Sequence, residues 1–198
     1  MFEWYFAFGG ILSGMNDTTN TPARVLAFWF EESSAQQWFA KDDAFDAAIR
    51  TRFTALHAQA ARGELWRWRV DAPGRLAEII VLDQFSRNLH RGSGAAFAQD
   101  AVALVLAQEL VAQALDMHLP VAQRAFAYLP YMHSESLAVQ HESIRLYEAL
   151  AQPGNLDFAY QHRDIVARFG RYPHRNAALG RESTAEEIAF LKQPGSSF

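Results

Sequence analysis

The sequence predicts an all-α protein, arranged as an irregular antiparallel array of helices. Apolar residues recur three and four positions apart in several stretches, which is typical of helices that bury one face. Proline and capping residues stand where these stretches begin, and glycines stand where several of them end. An alternating apolar pattern bounded by hairpin turns is absent from the sequence, so we expect no sheet. Short connections between the helices favour antiparallel neighbours.

These signals place the helices along the chain. The first begins at Pro22, which follows the capping residue Thr21. The apolar run Ile79–Leu82 resembles a strand, but Leu76 and Phe85 on either side continue a helical period. Because residues 95–117 are dense in alanine, valine and leucine, we expect that helix to be central and buried on several sides. The predicted helices run from Pro22, from Asp42 or Asp43 to Gly63, from Pro73, from Ala95 to Met117, from Pro120, from Ser134 or Ser136 to Leu150, from Pro153 to Gly170, and from Thr184 to Leu191.

Length and composition indicate one globular domain with a substantial core. The chain has 198 residues, of which 50% are hydrophobic and 20% charged. We assign residues 21–192 to this domain and expect the tail 193–198 to fray. The sequence has no cysteine, which excludes disulfides, thiolate zinc sites and cysteine nucleophiles. A net charge of −4 provides no general attraction for nucleic acid, so we predict no nucleic-acid partner.

The first twenty residues form a separate leader. Residues 1–14 are apolar, but they are too short to span a bilayer and lack the basic start of a secretory signal. Met15 and a polar stretch follow directly. We therefore interpret residues 1–20 as disordered or misassigned, with Met15 as the true start. Because the rest of the sequence has no long apolar run, we expect a cytoplasmic protein with no membrane partner.

Polar residues interrupt the apolar face of the third helix. Asp83 and Arg87 are four residues apart, in the order that allows an acid and a base to pair on a helix surface. Gln84, Asn88 and Arg91 extend this polar face by a turn. If the face is buried, these charges need partners, since an isolated buried charge is very costly. They are either part of a site or an ion-pair network that joins helices.

A histidine and a carboxylate lie close together in the stretch PYMHSE. His133 and Glu135 could form a general acid/base pair or be two ligands of a divalent metal, and His141 follows two turns later. Their spacing matches no recognised metal signature, and histidines of helical proteins are usually hydrogen-bonded structural groups. We therefore predict no metal and no cofactor.

Positive charge is concentrated between His162 and Arg181. This stretch contains five arginines and one acid, Asp164, within an acidic protein. Its planar donors could bind a carboxylate, a phosphate or an acidic peptide. Alternatively, they bind the carbonyl ends of helices and pair with Asp83, Glu135 or Asp164. The candidate residues of this stretch are His162, Arg163, Arg168, Arg171, His174, Arg175, Asn176 and Arg181.

Three blocks of the sequence resemble the signatures of a known family. The blocks are LDQFSRNLHRG, YLPYMHSE and RFGRYPHRNAALGRESTAEE. In this order, from about Val25 to Leu191, they resemble the bacterial domain of unknown function 924 family, whose members have an irregular tetratricopeptide-like helical fold. Ser86 departs from the pattern, since the family usually has proline there. The resemblance implies that the signature positions are occupied by Asp83, Gln84, Arg87, Asn88, Arg91, His133, Glu135, His162, Arg168, Arg171, His174, Arg175, Asn176 and Arg181.

The leading functional hypothesis is a binding module that takes an anionic small molecule or an acidic peptide segment in a cleft. Its alternatives are a hydrolase, in which His133 or His174 is the general base and Glu135 or Asp83 sets its tautomer, and a purely structural or partner-assembly protein. The sequence does not indicate which oligomeric state the protein adopts. The ligand-binding candidates are Asp83, Arg87, Asn88, Arg91, His162, Arg171, His174, Arg175, Asn176 and Arg181, and the catalytic candidates are His133, Glu135 and His174.

Overall fold

A computed structural model describes residues 20–197, and these residues form helices joined by short connections. No strand occurs in this part of the chain, so the prediction of an all-α fold is confirmed. That the array is tetratricopeptide-like stays a prediction. The expectations for a leader over residues 1–20 and for a start at Met15 fall, apart from residue 20, on residues 1–19, which lie outside the described residues.

The N-terminal half begins with three α-helices, α1 (Pro22–Ala27), α2 (Ala35–Phe39) and α3 (Asp43–Ala61). Helix α1 continues as a wider π-helical turn over Phe28–Glu32. The capping residues predicted for α1 and α3 are present, since Thr21 and Asp42 accept hydrogen bonds from the first turns. A 3₁₀ turn, Trp66–Val70, precedes the next helix.

The central element is a long helix that changes its winding halfway. It starts as α4 (Ala72–Ile80), widens into a π-helical segment (Val81–Phe85) and ends as α5 (Ser86–Leu89). It packs against α1, α3 and two later helices. The helix predicted from Pro73 is thus confirmed, and it forms the middle of the core. Its fully buried apolar side chains are Leu76, Ala77, Ile79, Ile80, Val81, Leu82 and Phe85.

Helix α6 (Asp100–Ala112) is peripheral, so the prediction of a central helix buried on several sides was wrong. The helical turn at Gly94–Phe97 is separate from it, and the left-handed Ala114 ends it before Met117. Only one face is buried, while Val102 and Val105 are 43% and 55% exposed. Alanine and valine made the stretch appear central, but single exposed apolar residues are common on protein surfaces.

The C-terminal half contains three consecutive packed helices, α7 (Val121–Met132), α8 (Leu137–Leu150) and α9 (Pro153–Phe169). Their short connections require antiparallel neighbours. Gly170 ends α9 in the left-handed conformation, as predicted. An irregular arm, which we define as residues 170–184, then leads to α10 (Ala185–Phe190). This helix begins directly after Thr184, as predicted, and Thr184 and Glu187 form a capping box there.

Candidate functional site

The π-helical segment Val81–Phe85 places a carboxylate inside the protein. Asp83 is 1% exposed, and its Oδ1 lies 2.7 Å from Nδ1 of His133. Gln84 donates to the other oxygen at 2.5 Å, and Nη1 of Arg87 lies 3.2 Å from Oδ1. The i, i+4 pair predicted for Asp83 and Arg87 is therefore present. π-Helical turns inside longer helices are frequent at functional sites.

The surroundings of Asp83 and His133 fix their protonation. Burial raises the pKa of Asp83, but Arg87 and His133 lower it further, so the carboxyl group is ionised at neutral pH. Burial and Arg87 lower the pKa of His133 more than Asp83 raises it, so the imidazole is neutral. Nδ1 of His133 therefore carries the proton, and this N–H donates a hydrogen bond to the carboxylate. The second ring nitrogen, Nε2, consequently has a free electron pair.

Asp100, at the start of α6, holds two arginines. Arg87 donates to both of its oxygens, at 3.0 and 3.2 Å, and Arg175 donates from Nη1 at 3.1 Å. The guanidinium carbon of Arg175 lies 4.6 Å from the ring centres of both Phe97 and Tyr172. Burial lowers the pKa of Arg175, and Asp100 compensates for this only in part because it is shared with Arg87. Nε of Arg175 is buried and has no hydrogen-bond partner among residues 20–197.

Glu135 connects the end of α7 to the arm. Its carboxylate accepts two hydrogen bonds from Arg181, at 2.7 and 2.9 Å, and one from the backbone N–H of Tyr172 at 2.8 Å. The hydroxyl of Tyr172 donates to the carbonyl of Met132 at 2.6 Å. Burial raises the pKa of Glu135, but the hydrogen bond from Arg181 and that backbone N–H lower it further. The arm is therefore held against α7 by charge-assisted hydrogen bonds.

These groups border a cleft of about 340 Å³ that opens to solvent. Its lining combines a base, two acids and a cation with several apolar side chains. Of the predicted site residues, His133, Glu135 and Arg175 line it. Its full lining is Phe97, Ala98, Asp100, Ala101, Leu104, Pro130, His133, Ser134, Glu135, Arg175 and Leu179.

Four of the predicted ligand-binding residues hold helices together outside the cleft. Asn88 and Arg91 donate to the buried Asp46 of α3, at 2.8–2.9 Å. Arg171 and Asn176 donate to Glu187 of α10. Hydrogen bonds from Arg171 and from the backbone of Thr184 lower the pKa of Glu187 to about 2.

Two further histidines pack behind the cleft. The ring of His162 lies 6.4 Å from that of His133 and 5.7 Å from that of Tyr172, and its Nδ1 contacts the carbonyl of Phe158 at 2.8 Å. The ring of His174 lies 5.5 Å from that of Tyr172. Burial lowers the pKa of His162 to about 3, and burial with Arg175 lowers that of His174 to about 4. Both rings are therefore neutral at physiological pH.

The sequence did not point to Asp100, Phe97 or Tyr172. Tyr172 lies inside the third signature block, but only the histidines and arginines around it are charged or titratable near neutral pH, and these were the predicted site residues. Asp100 opens a helix that otherwise suggested only burial, and an acid there is usually explained by the helix dipole. In the structure Asp100 forms ion pairs with two arginines that are distant in sequence, Arg87 and Arg175. A contact of this kind cannot be inferred from the local sequence.

Neither metal binding nor membrane insertion has strong support in the described part of the chain. No group of three or more histidine or acidic side chains within residues 20–197 is placed to hold a metal ion. One stretch, Gly94–Ala112, is long and apolar enough to cross a membrane by length and composition, with a mean hydropathy of 1.4. A single such stretch is weak evidence for a membrane span, and its Leu106 and Leu110 are buried inside the protein. The cytoplasmic location stays a prediction.

A family model described as "Bacterial protein of unknown function (DUF924)" matches residues 25–195. The chain belongs to this family. The family predicted from the three signature blocks is thus confirmed. This DUF924 chain is also similar to the solved structure of a protein of unknown function from Agrobacterium tumefaciens, with 40% identity and a TM-score of 0.82 over 86% of this chain and 96% of that one. Among curated proteins, none matches the chain.

Proposed function

We propose that this DUF924 protein binds a small anionic molecule in the cleft, with the negative group at Arg175. The observation that carries the proposal is the position of Arg175, which lines the cleft while being only 6% exposed. Among residues 20–197, Asp100 is the one acid that forms an ion pair with Arg175, and it also binds Arg87. Glu135 adds a weaker favourable charge, and Nε of Arg175 has no hydrogen-bond partner in this part of the chain. A buried cation with incomplete compensation favours an anionic ligand.

The size and walls of the cleft favour a small ligand with an apolar part. A volume of about 340 Å³ lies near the lower end of the range for small-molecule sites, about 300–1,000 Å³. Phe97, Leu104 and Leu179 also line the cleft and offer apolar contacts to a ligand. An extended acidic peptide would have to leave most of its length outside this space.

The charge of the cleft favours one negative group over two. Asp100 and Glu135 line it together with Arg175, so a dianion would meet two carboxylates of like sign. A monocarboxylate meets the guanidinium with less repulsion and matches its planar fork. Arg181 does not line the cleft, and we assign it the role of holding Glu135.

The proposal is tested by thermal unfolding with a panel of small monocarboxylates that carry alkyl or phenyl groups, beside phenyl phosphate and an acidic peptide. Saturation at a hundred times Kd stabilises a protein by about 2.7 kcal/mol, or about 5–10 °C for a domain of this size. We expect such a shift for at least one monocarboxylate, and we expect Arg175→Gln to abolish it. Arg145→Gln, which removes an exposed arginine from α8, is the matched control and should keep it.

Other results would contradict the proposal. A shift that survives in Arg175→Gln places the ligand elsewhere, and a shift with the acidic peptide alone favours a peptide-binding groove. If no probe stabilises the protein and Arg175→Gln simply unfolds more easily, the polar residues are structural, which was the third hypothesis.

A further inference from the structure

We infer that Asp83 and His133 form a general base that hydrolyses an ester or amide bond of a carboxylate-bearing ligand held in the cleft. The inference rests on the proposed function, because it requires the ligand's carboxylate to lie at Arg175. It adds a chemical step to binding, and names the class of bond that is broken.

The contact between the two residues has the geometry of an oriented base. Nδ1 of His133 lies 2.7 Å from Oδ1 of Asp83, within the range of a strong hydrogen bond. The buried carboxylate is held in turn by Gln84 and Arg87, so it fixes both the ring orientation and the tautomer of His133. Asp83 is thus a positioning residue, and His133 is the group that would meet the substrate.

His133 lies where a substrate can reach it. His133 is the C-terminal capping residue of α7. Its side chain is 15% exposed, and it lines the cleft together with Arg175. A purely structural Asp–His contact does not need to open on a cavity. The shared lining brings a base with a free electron pair and a cation for the substrate to the same space.

In this hydrolysis His133 acts first as a base and then as an acid. Nε2 of His133 takes a proton from water while the water oxygen forms a bond to the acyl carbon of the substrate. The carbonyl electron pair moves to oxygen, and its return breaks the bond between the acyl carbon and the leaving oxygen or nitrogen. The protonated imidazole then gives its proton to the leaving alcohol or amine, and Asp83 stays ionised throughout.

The charged and titratable groups around His133 determine its pH response. Asp83 raises the pKa of His133, whereas burial and Arg87 lower it more. The imidazole therefore stays unprotonated at pH values below 6.5, the ordinary pKa of histidine. Hydrolysis should therefore be constant from pH 7.5 to 6.5 and decline only at lower pH. The groups that surround the ring are Asp83, Arg87, Asp100, Glu135, His162, His174 and Arg175.

The test uses 4-nitrophenyl hemisuccinate and hemiglutarate, with 4-nitrophenyl butyrate as the uncharged comparison. We expect the full-length protein to hydrolyse a carboxylate-bearing ester faster than the butyrate. A positioned general base contributes about 10²–10⁴-fold, so His133→Gln should lower kcat/KM at least about 100-fold. Glutamine can still donate to Asp83, which preserves the internal contact. His141→Gln, an exposed histidine on α8, is the matched control and should leave the rate unchanged.

A second variant separates positioning from folding. In Asp83→Asn we expect a residual rate whose acidic limb moves to lower pH, since the carboxylate that raises the pKa of His133 is gone. A defect in folding alone would reduce the amount of active protein without moving this limb.

The outcomes distinguish this inference from the binding proposal. Arg175-dependent stabilisation by unreactive monocarboxylates without His133-dependent hydrolysis overturns the catalytic inference and leaves binding intact. Hydrolysis that His133→Gln does not reduce also overturns it. Absence of both stabilisation and hydrolysis overturns both.

Discussion

Asp83 is a fully buried carboxylate, and its side-chain contacts depend on its negative charge. His133, Gln84 and Arg87 all direct donors at its carboxylate. Burying such a group costs several kcal/mol unless opposite charges and hydrogen bonds compensate. The carboxylate therefore serves the fold and the cleft together, because the contacts that stabilise it also orient His133.

The first prediction concerns this charge. Asp83→Asn removes the anion but keeps the shape of the side chain, and it leaves Arg87 with Asp100 as its remaining acid. Loss of one partner from a buried pair costs about 3–5 kcal/mol, and we expect about 3 because Arg87 is 21% exposed. Urea unfolding at pH 7.5 measures the free energy of unfolding.

Asp164→Asn is the control for this prediction, because it removes an acid that also pairs with an arginine but is 67% exposed. Its effect should be immeasurably small, since exposed ion pairs are screened by water. Equal losses in the two variants would mean that the contacts of Asp83 contribute no more than a surface pair.

At the scale of the elements, close packing constrains the start of the central helix. Gly74 lies in the first turn of α4, where its N–H donates to Asp71. A Cβ added there would lie 1.9 Å from the carbonyl oxygen of Trp68, which belongs to the preceding 3₁₀ turn. The backbone of one element therefore occupies the space that a side chain of the next would need.

We expect Gly74→Ala to destabilise the protein by about 1–3 kcal/mol, as overpacking does, or to prevent folding. Gly154→Ala is the matched control, since it also lies in the first turn of a helix but has no atom within 4 Å of the added Cβ. This variant should be neutral or more stable by about 0.4–1 kcal/mol, because alanine reduces the entropy of the unfolded chain. Urea unfolding compares the two, and a tolerated Gly74→Ala would contradict the close approach of the turn to the helix.

The helices were largely predictable from sequence because local signals set their ends. The caps at Thr21, Asp42 and Thr184 and the glycine at 170 lie where the sequence indicated. The widening of the central helix at Val81–Phe85 was not predictable, since its residues fit an α-helical period equally well. The site was predictable only in part, because the partners of Arg175 and Arg91 depend on contacts between distant segments.

At the scale of the whole molecule, four buried or half-buried histidines should control stability in mild acid. Burial is the largest cause that lowers the pKa of each one in the folded protein. In the unfolded chain a histidine takes up a proton near pH 6.5. Between that value and the lower folded values, the unfolded state binds protons that the folded state does not. The four residues are His57, His133, His162 and His174.

The free energy of unfolding should therefore fall as the pH falls from about 6.5 towards 4, by at most about 1.4 kcal/mol per pH unit for each histidine. The acids with lowered pKa values, such as Asp83 and Glu187, stabilise the fold fully above their unfolded pKa near 4, so they contribute to the loss only below it. The window between pH 6.5 and 5 thus separates the two groups.

Urea unfolding at pH 7.5, 6.5, 5.5 and 5 measures this slope. His162→Gln should make it shallower by up to about 1.4 kcal/mol per pH unit, even if the variant is less stable overall, because the slope reports only the protons taken up. His141→Gln removes an exposed imidazole from α8 and should leave the slope unchanged. A free energy of unfolding that stays constant down to pH 5 would mean that these four imidazole rings accept protons in the folded protein as readily as in the unfolded chain. His133 would then be protonated in mild acid, which would contradict the neutral state on which its role as a base depends.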